Sequence, residues 1–355
     1  MNKLQNWVVR PNTGNDGYIF YNRQQGTFSQ NRPEQIHDDA LFTSGSFIPQ
    51  APLKVYFDMT YLCNLQCRHC ITSSSPFVDI SRELPTLRIL EIIEELATIG
   101  VLEIAVGGGE PFVQPDWQLI FKHITDLGMN LIVTSNGILM NKKNVQSLKA
   151  TQPLEVRISF DGGRVFHNNI RGRDNYDKAL RGLDNLLQKD IHATARFTYC
   201  NGADEELESL FYDVAQTGCH NIKIAMLKKA GRAIHEPDLM PQMPDMETAC
   251  WLMTLGQKHG LTVQLSSDDF PISYLEAHDT KLRESSRSNC GAGFETCYIS
   301  PFGQVYSCVT IPTIEFGRLH HESFLTAWRS QKAQIFRAEA SACGVCRICD
   351  GIVKR

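Results

Sequence analysis

Cys63, Cys67 and Cys70 lie within the run Cys63-Asn64-Leu65-Gln66-Cys67-Arg68-His69-Cys70. Three thiolates at C-x3-C-x2-C spacing can bind three irons of a cubane and leave the fourth iron without a protein ligand. A fourth cysteine would close a cluster built only for electron transfer. An open iron can take a substrate or a cosubstrate. Zinc is the rival, but zinc motifs usually bring a second Cys/His pair about a dozen residues on. The next cysteine here is Cys200.

The remaining cysteines are unevenly spread. Of 12 in the chain, six fall near its end: Cys290, Cys297, Cys308, Cys343, Cys346 and Cys349. Only Cys200, Cys219 and Cys250 stand alone. This split marks two metal-binding regions. With 355 residues and 42% hydrophobic content, the chain can build one large domain and a small one. A net charge of -4 offers no basic field for nucleic acid or a membrane surface. There is no apolar run of about 18 residues. The start, Met1 to Trp7, lacks the apolar core of a signal peptide. A cytoplasmic chain is expected, with its cysteines in metal or redox use rather than disulfides.

Pattern and punctuation divide the chain at residues 1–50, 51–267, 268–289 and 290–355. The first part reads as an extension with a small β element. Strands at Trp7-Val8-Val9-Arg10 and Tyr18-Ile19-Phe20-Tyr21 flank a Gly/Asn/Asp turn, and a short helix fits 33–42. It is a structural addition to the main domain or an edge strand for a peptide. Strand and helix alternate from 54 onward. Strand 55–59 precedes the cysteine loop, and helix 86–99 places Ile89, Ile92, Ile93, Leu96 and Ile99 on one face. Strands over 103–107, 130–135, 154–160, 192–199, 221–227 and 261–266 follow, with helices over 116–127, 142–149, 175–188, 204–217 and 244–259. Six βα units with strands apolar on both faces imply an α/β fold, a partial (β/α)6 TIM-like barrel. Chemistry in such folds gathers where strands end. The cysteine run follows the first strand. Gly107-Gly108-Gly109-Glu110-Pro111, Thr134-Ser135-Asn136-Gly137 and Ser159-Phe160-Asp161-Gly162 end the next three.

These four strand ends, in this order, resemble the radical S-adenosylmethionine (SAM) superfamily over residues 54–232. The resemblance implies a [4Fe-4S] cluster on Cys63, Cys67 and Cys70, with SAM on its open iron. Gly108, Gly109, Glu110 and Pro111 would line the methionine amino group, where a carboxylate suits an ammonium. Ser159 and Arg171 would contact ribose and carboxylate, with Ser135, Asn136 and Asp161 in the same pocket. Reductive cleavage of SAM would give a 5′-deoxyadenosyl radical that abstracts a hydrogen atom from an unactivated carbon. The protein positions that chemistry and excludes water and oxygen.

Residues 297–308 read as a hairpin turning at Pro301-Phe302-Gly303, which brings Cys297 near Cys308. The tail resembles the SPASM domain or its shorter form, twitch. That resemblance implies at least one auxiliary [4Fe-4S] cluster, on Cys290, Cys297, Cys308 and one of Cys343, Cys346 or Cys349. A second cluster and a structural zinc stay open, as does Asp350 as a ligand. The implied substrate is a ribosomally made precursor peptide, oxidised by crosslinking or backbone excision. Alternatives are a peptide epimerase with Cys200 as hydrogen-atom donor, a radical SAM sugar dehydrogenase and a non-catalytic iron–sulfur module. Expected partners are a separate leader-binding protein and a reductant such as flavodoxin or ferredoxin.

Overall fold

Apolar stripes at helical spacing alternate with short apolar strands from residue 54, and the backbone follows that alternation. A computed structural model describes residues 7–11, 18–29, 51–242, 246–266, 291–310, 312 and 314–343. Seven parallel strands stand side by side in chain order: β4 (Lys54–Asp58), β5 (Glu103–Gly107), β6 (Asn130–Ser135), β7 (Glu155–Phe160), β8 (Ala193–Tyr199), β9 (Asn221–Met226) and β10 (Thr262–Leu265). Their crossovers hold α1 (Thr86–Thr98), α2 (Trp117–Asp126), α3 (Lys142–Ala150), α4 (Arg164–Arg171), α5 (Asn175–Leu187), α6 (Leu207–Gln216) and α7 (Met246–His259). This is the expected six-unit partial barrel. Ile89, Ile92, Ile93 and Leu96 of α1 are buried as their spacing requires, while Ile99 caps the helix.

Helix α4 was not expected. Only His167 and Ile170 of its eight residues are buried, so no apolar stripe announces it. The tail adds β11 (Thr296–Ile299), β12 (Gln304–Tyr306), β13 (Glu315–Arg318), α8 (Phe324–Trp328) and α9 (Gln331–Cys343). Its strands do not form a separate sheet. β11 pairs in parallel with β4, setting Cys297 opposite Val55, and β12 and β13 extend the sheet antiparallel. Arg88 of α1 donates to the Leu319 and Glu322 carbonyls, tying the tail to the barrel.

Residues 7–29 form an antiparallel sheet of β1 (Trp7–Pro11), β2 (Tyr18–Asn22) and β3 (Thr27–Ser29); β3 escaped the sequence reading. The Tyr21 hydroxyl donates to Glu103 Oε2 at 3.3 Å and accepts from Asn130 Nδ2 at 2.6 Å. Glu103 and Asn130 begin β5 and β6, so this sheet covers the end of the barrel away from the cysteine loop. Under it lies a cavity of about 630 Å³, lined by the pairs Lys54–Glu103 and Arg157–Glu155 and by Lys223. Opposite charges in contact are what allow the two pairs to be buried. The expected helix over 33–42 and bridge over 268–289 lie outside the described residues.

Gly182 of α5 lies against Gly137, and a Cβ added there would overlap the Gly137 carbonyl oxygen. Gly182→Ala is expected to cost about 1–3 kcal/mol, the usual range for overpacking. Urea denaturation of the metal-free chain checks it, with an unchanged midpoint as the contrary result.

Candidate active site

The cysteine loop leaves β4 after Asp58 and is held from several sides. Gly109 N donates to Thr60 O at 2.8 Å, and Glu110 N to Leu62 O at 3.0 Å. A Cβ on Gly109 would overlap Leu62 O, and one on Gly108 would lie 2.5 Å from Thr60 O. Gly108 also has φ +108°, where glycine alone is unstrained. These glycines thus admit the cysteine loop's own backbone.

Burial chiefly, with repulsion from neighbouring cysteine thiolates, pushes the Cys63 thiol up to about 12 and the Cys67 thiol up to about 11. None of the three cysteines is in a disulfide. Buried thiols that repel one another as thiolates suit an iron–sulfur cluster, whose irons displace the protons. Among the described residues no three His, Cys, Asp or Glu side chains converge as ligands of one ion. The thiolates of a cubane sit on separate irons and need no such convergence.

Glu110 is fully buried beside this loop. Ser135 Oγ and Asn136 N each donate to its carboxylate at 2.9 Å, and Phe112 N at 3.4 Å. Burial pushes its carboxyl up to about 7. Asn136 Nδ2 donates to Asn64 Oδ1 at 2.7 Å, linking the third strand end to the cysteine loop. Ser159, next to last in β7, is largely buried.

Asp161 and Arg171 meet each other. Arg171 Nε donates to Asp161 Oδ2 at 2.5 Å and Nη2 to Oδ1 at 2.9 Å. His69 Nε2 donates to the same Oδ1 at 2.8 Å, and its buried Nδ1 has no hydrogen-bond partner among the described residues. Burial alone would raise the Asp161 carboxyl, but Arg171 and His69 outweigh it and hold it far below the usual range. Asp161 therefore fastens His69, in the cysteine loop, to Arg171, and two nitrogens of the Arg171 fork are spent inside the protein. His69 carried no signal of this role in the sequence, because its partner lies 92 residues away.

A second buried link went unread. The Tyr298 hydroxyl donates to Asp58 Oδ2 at 2.8 Å and lies 2.7 Å from the Tyr61 hydroxyl. Burial pushes Asp58 up to about 7, with Tyr298 pulling the other way. Tyr298 follows Cys297 on β11, so this chain of hydroxyls joins the tail to the root of the cysteine loop.

Cys200 lies just past β8, buried in an apolar cluster with Ile170, Leu227, Ala233 and Leu239. In the tail, Cys297 is buried and Cys308 is partly exposed. The register Tyr298 opposite Tyr306, extended by one residue, sets Cys297 level with Ser307, beside Cys308. Cys290, Cys346, Cys349 and Asp350 lie outside the described residues, as does the side chain of Cys343 at the end of α9.

A family model described as the Radical SAM superfamily matches residues 58–211. A second, SPASM, described as an iron-sulfur cluster-binding domain, matches residues 290–350. The chain thus carries a radical SAM match over its barrel and a SPASM match over its tail. Mycofactocin maturase MftC of Mycolicibacterium smegmatis is 29% identical over 308 residues, 84% of this chain and 76% of that protein. The AdoMet-dependent heme synthase of Methanosarcina barkeri is 26% identical, across 85% of this chain and 91% of its own. The antilisterial bacteriocin subtilosin biosynthesis protein AlbA of Bacillus subtilis is 28% identical, across 82% of this chain and 62% of its own. Streptococcus suis SuiB, solved with its precursor peptide SuiA, shares the fold at a TM-score of 0.71 and 13% identity, across 92% of this chain and 88% of its own. Cys63, Cys67 and Cys70 fall within the radical SAM match, and their loop is braced by Asp161 through His69 and by Asp58 through Tyr298 and Tyr61. Among the described residues no helix is long and apolar enough to cross a membrane.

Asp161→Asn leaves Arg171, whose side chain is only 10% exposed, without a counter-charge. Breaking such a pair from one side costs about 3–5 kcal/mol. Denaturant melts of the metal-free chain should show that loss, and a loss under about 1 kcal/mol would place the pair among weak surface contacts.

Proposed function

We propose that this chain uses SAM radical chemistry to abstract a hydrogen atom from a residue of a ribosomally made precursor peptide, ending in a crosslink, a backbone excision or another oxidation. One observation carries the reading. β4 leads into the three-cysteine loop, and β11, hydrogen-bonded beside it, carries Cys297 of the SPASM domain. In this reading a radical site and an electron-accepting site would lie on neighbouring strands. MftC, AlbA and peptide-bound SuiB support the peptide as substrate class.

Cys63, Cys67 and Cys70 hold the radical-site [4Fe-4S] cluster. Together with SAM, that cluster supplies the 5′-deoxyadenosyl radical. The Glu110 carboxylate receives the methionine ammonium, with Gly108, Gly109 and Pro111 framing it. Ser135 and Asn136 hold that carboxylate in place. Ser159 offers its hydroxyl to the ribose, and Nη1 of Arg171, outside its bonds to Asp161, meets the methionine carboxylate. Cys290, Cys297, Cys308 and one of Cys343, Cys346 or Cys349 hold at least one auxiliary cluster. A leader-binding protein and a flavodoxin or ferredoxin complete the system.

A second reading, peptide epimerisation, is favoured by Cys200. Burial pushes its thiol up, so it stays S–H at neutral pH, the form that can return a hydrogen atom. Solvent deuterium entering one peptide alpha carbon, and lost in Cys200→Ala, supports that reading; a product lighter by two hydrogens supports oxidation. The deciding assay is anaerobic. Reduced, reconstituted protein with SAM and a precursor peptide should release 5′-deoxyadenosine and modified peptide, and Cys67→Ala should release neither. No 5′-deoxyadenosine from the intact wild-type cluster contradicts the proposal. Turnover of a tetrapyrrole instead of a peptide would align the chain with the relative named for heme synthesis.

SAM binding should depend on pH through Glu110. Its carboxyl sits at about 7 before the ammonium arrives. Ionised Glu110 binds the ammonium, so affinity is full above pH 7 and weakens towards about tenfold per pH unit below it. Equilibrium dialysis from pH 6 to 8 reads this. Glu110→Gln should bind weakly and lose the dependence, and a flat profile in the wild type would remove Glu110 from this role. Without SAM, the same raised value makes folding stability fall as pH rises from 4.5 to about 7 and level off above that, because the unfolded carboxyl ionises before the buried one.

A further inference from the structure

The segment after β9 is fastened to the cysteine loop by one arginine. Gly231–His235 form a short 3-10 turn. Arg232 N donates to Cys70 O at 2.9 Å. Its guanidinium donates from Nε to Cys67 O at 2.9 Å and from Nη2 to Ser74 O at 2.7 Å. One side chain and its own amide therefore bind three carbonyls of the loop, two of them on cysteines 67 and 70. Gly231, at φ +53°, packs so closely that an added Cβ would overlap the Ile71 and Cys70 carbonyl oxygens. Nearby, Arg68 in the loop forks onto Glu236, at 2.6 Å from Nη2 and 3.3 Å from Nε. The end of the sixth barrel strand thereby closes over the loop that follows the first.

The charges differ between the two arginines beside this loop. Arg171 is balanced by Asp161. Arg232 has no carboxylate partner among the described residues, and its side chain is spent on two neutral carbonyls. Its positive charge thus sits uncompensated against the backbone from Cys67 to Ser74.

We infer that Arg232 is a positioning residue for the cluster loop, and that its unpaired charge raises the reduction potential of the cluster held there. The inference rests on the radical-site reading above. Reduction adds one electron to the cluster, and a fixed cation close by favours the more negative state. Hydrogen bonds and net charge around a cluster are the levers that set its potential.

The test uses the full chain with Arg232→Gln and Arg232→Lys, and two readouts. Hydrogen exchange over residues 63–75 in metal-free protein reports the clamp alone. It should rise at least severalfold in both variants, because lysine cannot reproduce the two-armed contact. Redox titration of the EPR signal that SAM perturbs reports the charge. Arg232→Gln should lower the reduced-to-oxidised ratio at a fixed potential about tenfold, which is about 59 mV for one electron. Arg232→Lys keeps the charge and should stay within about twofold of wild type; this variant also serves if the glutamine variant does not fold. Wild-type exchange over 63–75 in the lysine variant overturns the clamp. A tenfold drop in the lysine variant, or none in the glutamine variant, overturns the charge effect. Failure of the radical-site reading shows separately, as a wild-type protein with no SAM-perturbed signal.

Discussion

Everything in this molecule that bears on chemistry hangs from β4. The strand is hydrogen-bonded to β5 on one side and to β11 on the other. Leu53 N and Lys54 N both donate to Glu295 O, so the contact between barrel and tail is fixed before the strand begins. At its far end the chain turns into the cysteine loop. Parallel strands in register leave little freedom along their length. The position of Cys297 relative to that loop is therefore set by backbone ladders, and side chains only refine it. Tyr298 refines it by reaching Asp58, the last residue of β4.

Charge around the loop follows one logic. Asp161 is matched twice, by His69 and Arg171, and acts as an internal brace. Glu110 is buried with hydrogen-bond donors but no cation in contact. Arg232 is a cation bonded to carbonyls rather than to a carboxylate. Buried charge persists where something answers it. In the proposed reading a methionine ammonium would answer Glu110, and an anionic cluster on the three cysteines would answer Arg232. Both residues are hydrogen-bonded to the cysteine loop, Glu110 at Leu62 O and Arg232 at Cys67 O and Cys70 O.

Most of the fold was legible because the barrel is periodic. Strand 103–107 and strand 130–135 fall where the sequence put them, since apolar runs between Gly and Asn turns have few other ways to fold. Helix α4 was missed because it buries almost nothing, and β3 because three residues carry no period. The site was legible where local spacing encodes it, as in the three cysteines and Gly108-Gly109-Glu110. It was illegible where partners are distant. His69 with Asp161, Asp58 with Tyr298, and Arg232 with Cys67 are each separated by 92 to 240 residues. Arg171 was read as free for a ligand because nothing nearby in sequence shows that Asp161 takes two of its nitrogens.

The central claim is that two cluster-bearing regions share one sheet. Iron and sulfide per chain test it most directly, measured after anaerobic reconstitution of the wild type and of a variant with Cys63, Cys67 and Cys70 all changed to Ala. Two or more [4Fe-4S] clusters predict about eight irons or more in the wild type, with about four fewer in the variant. About four irons in the wild type and none in the variant would contradict the account.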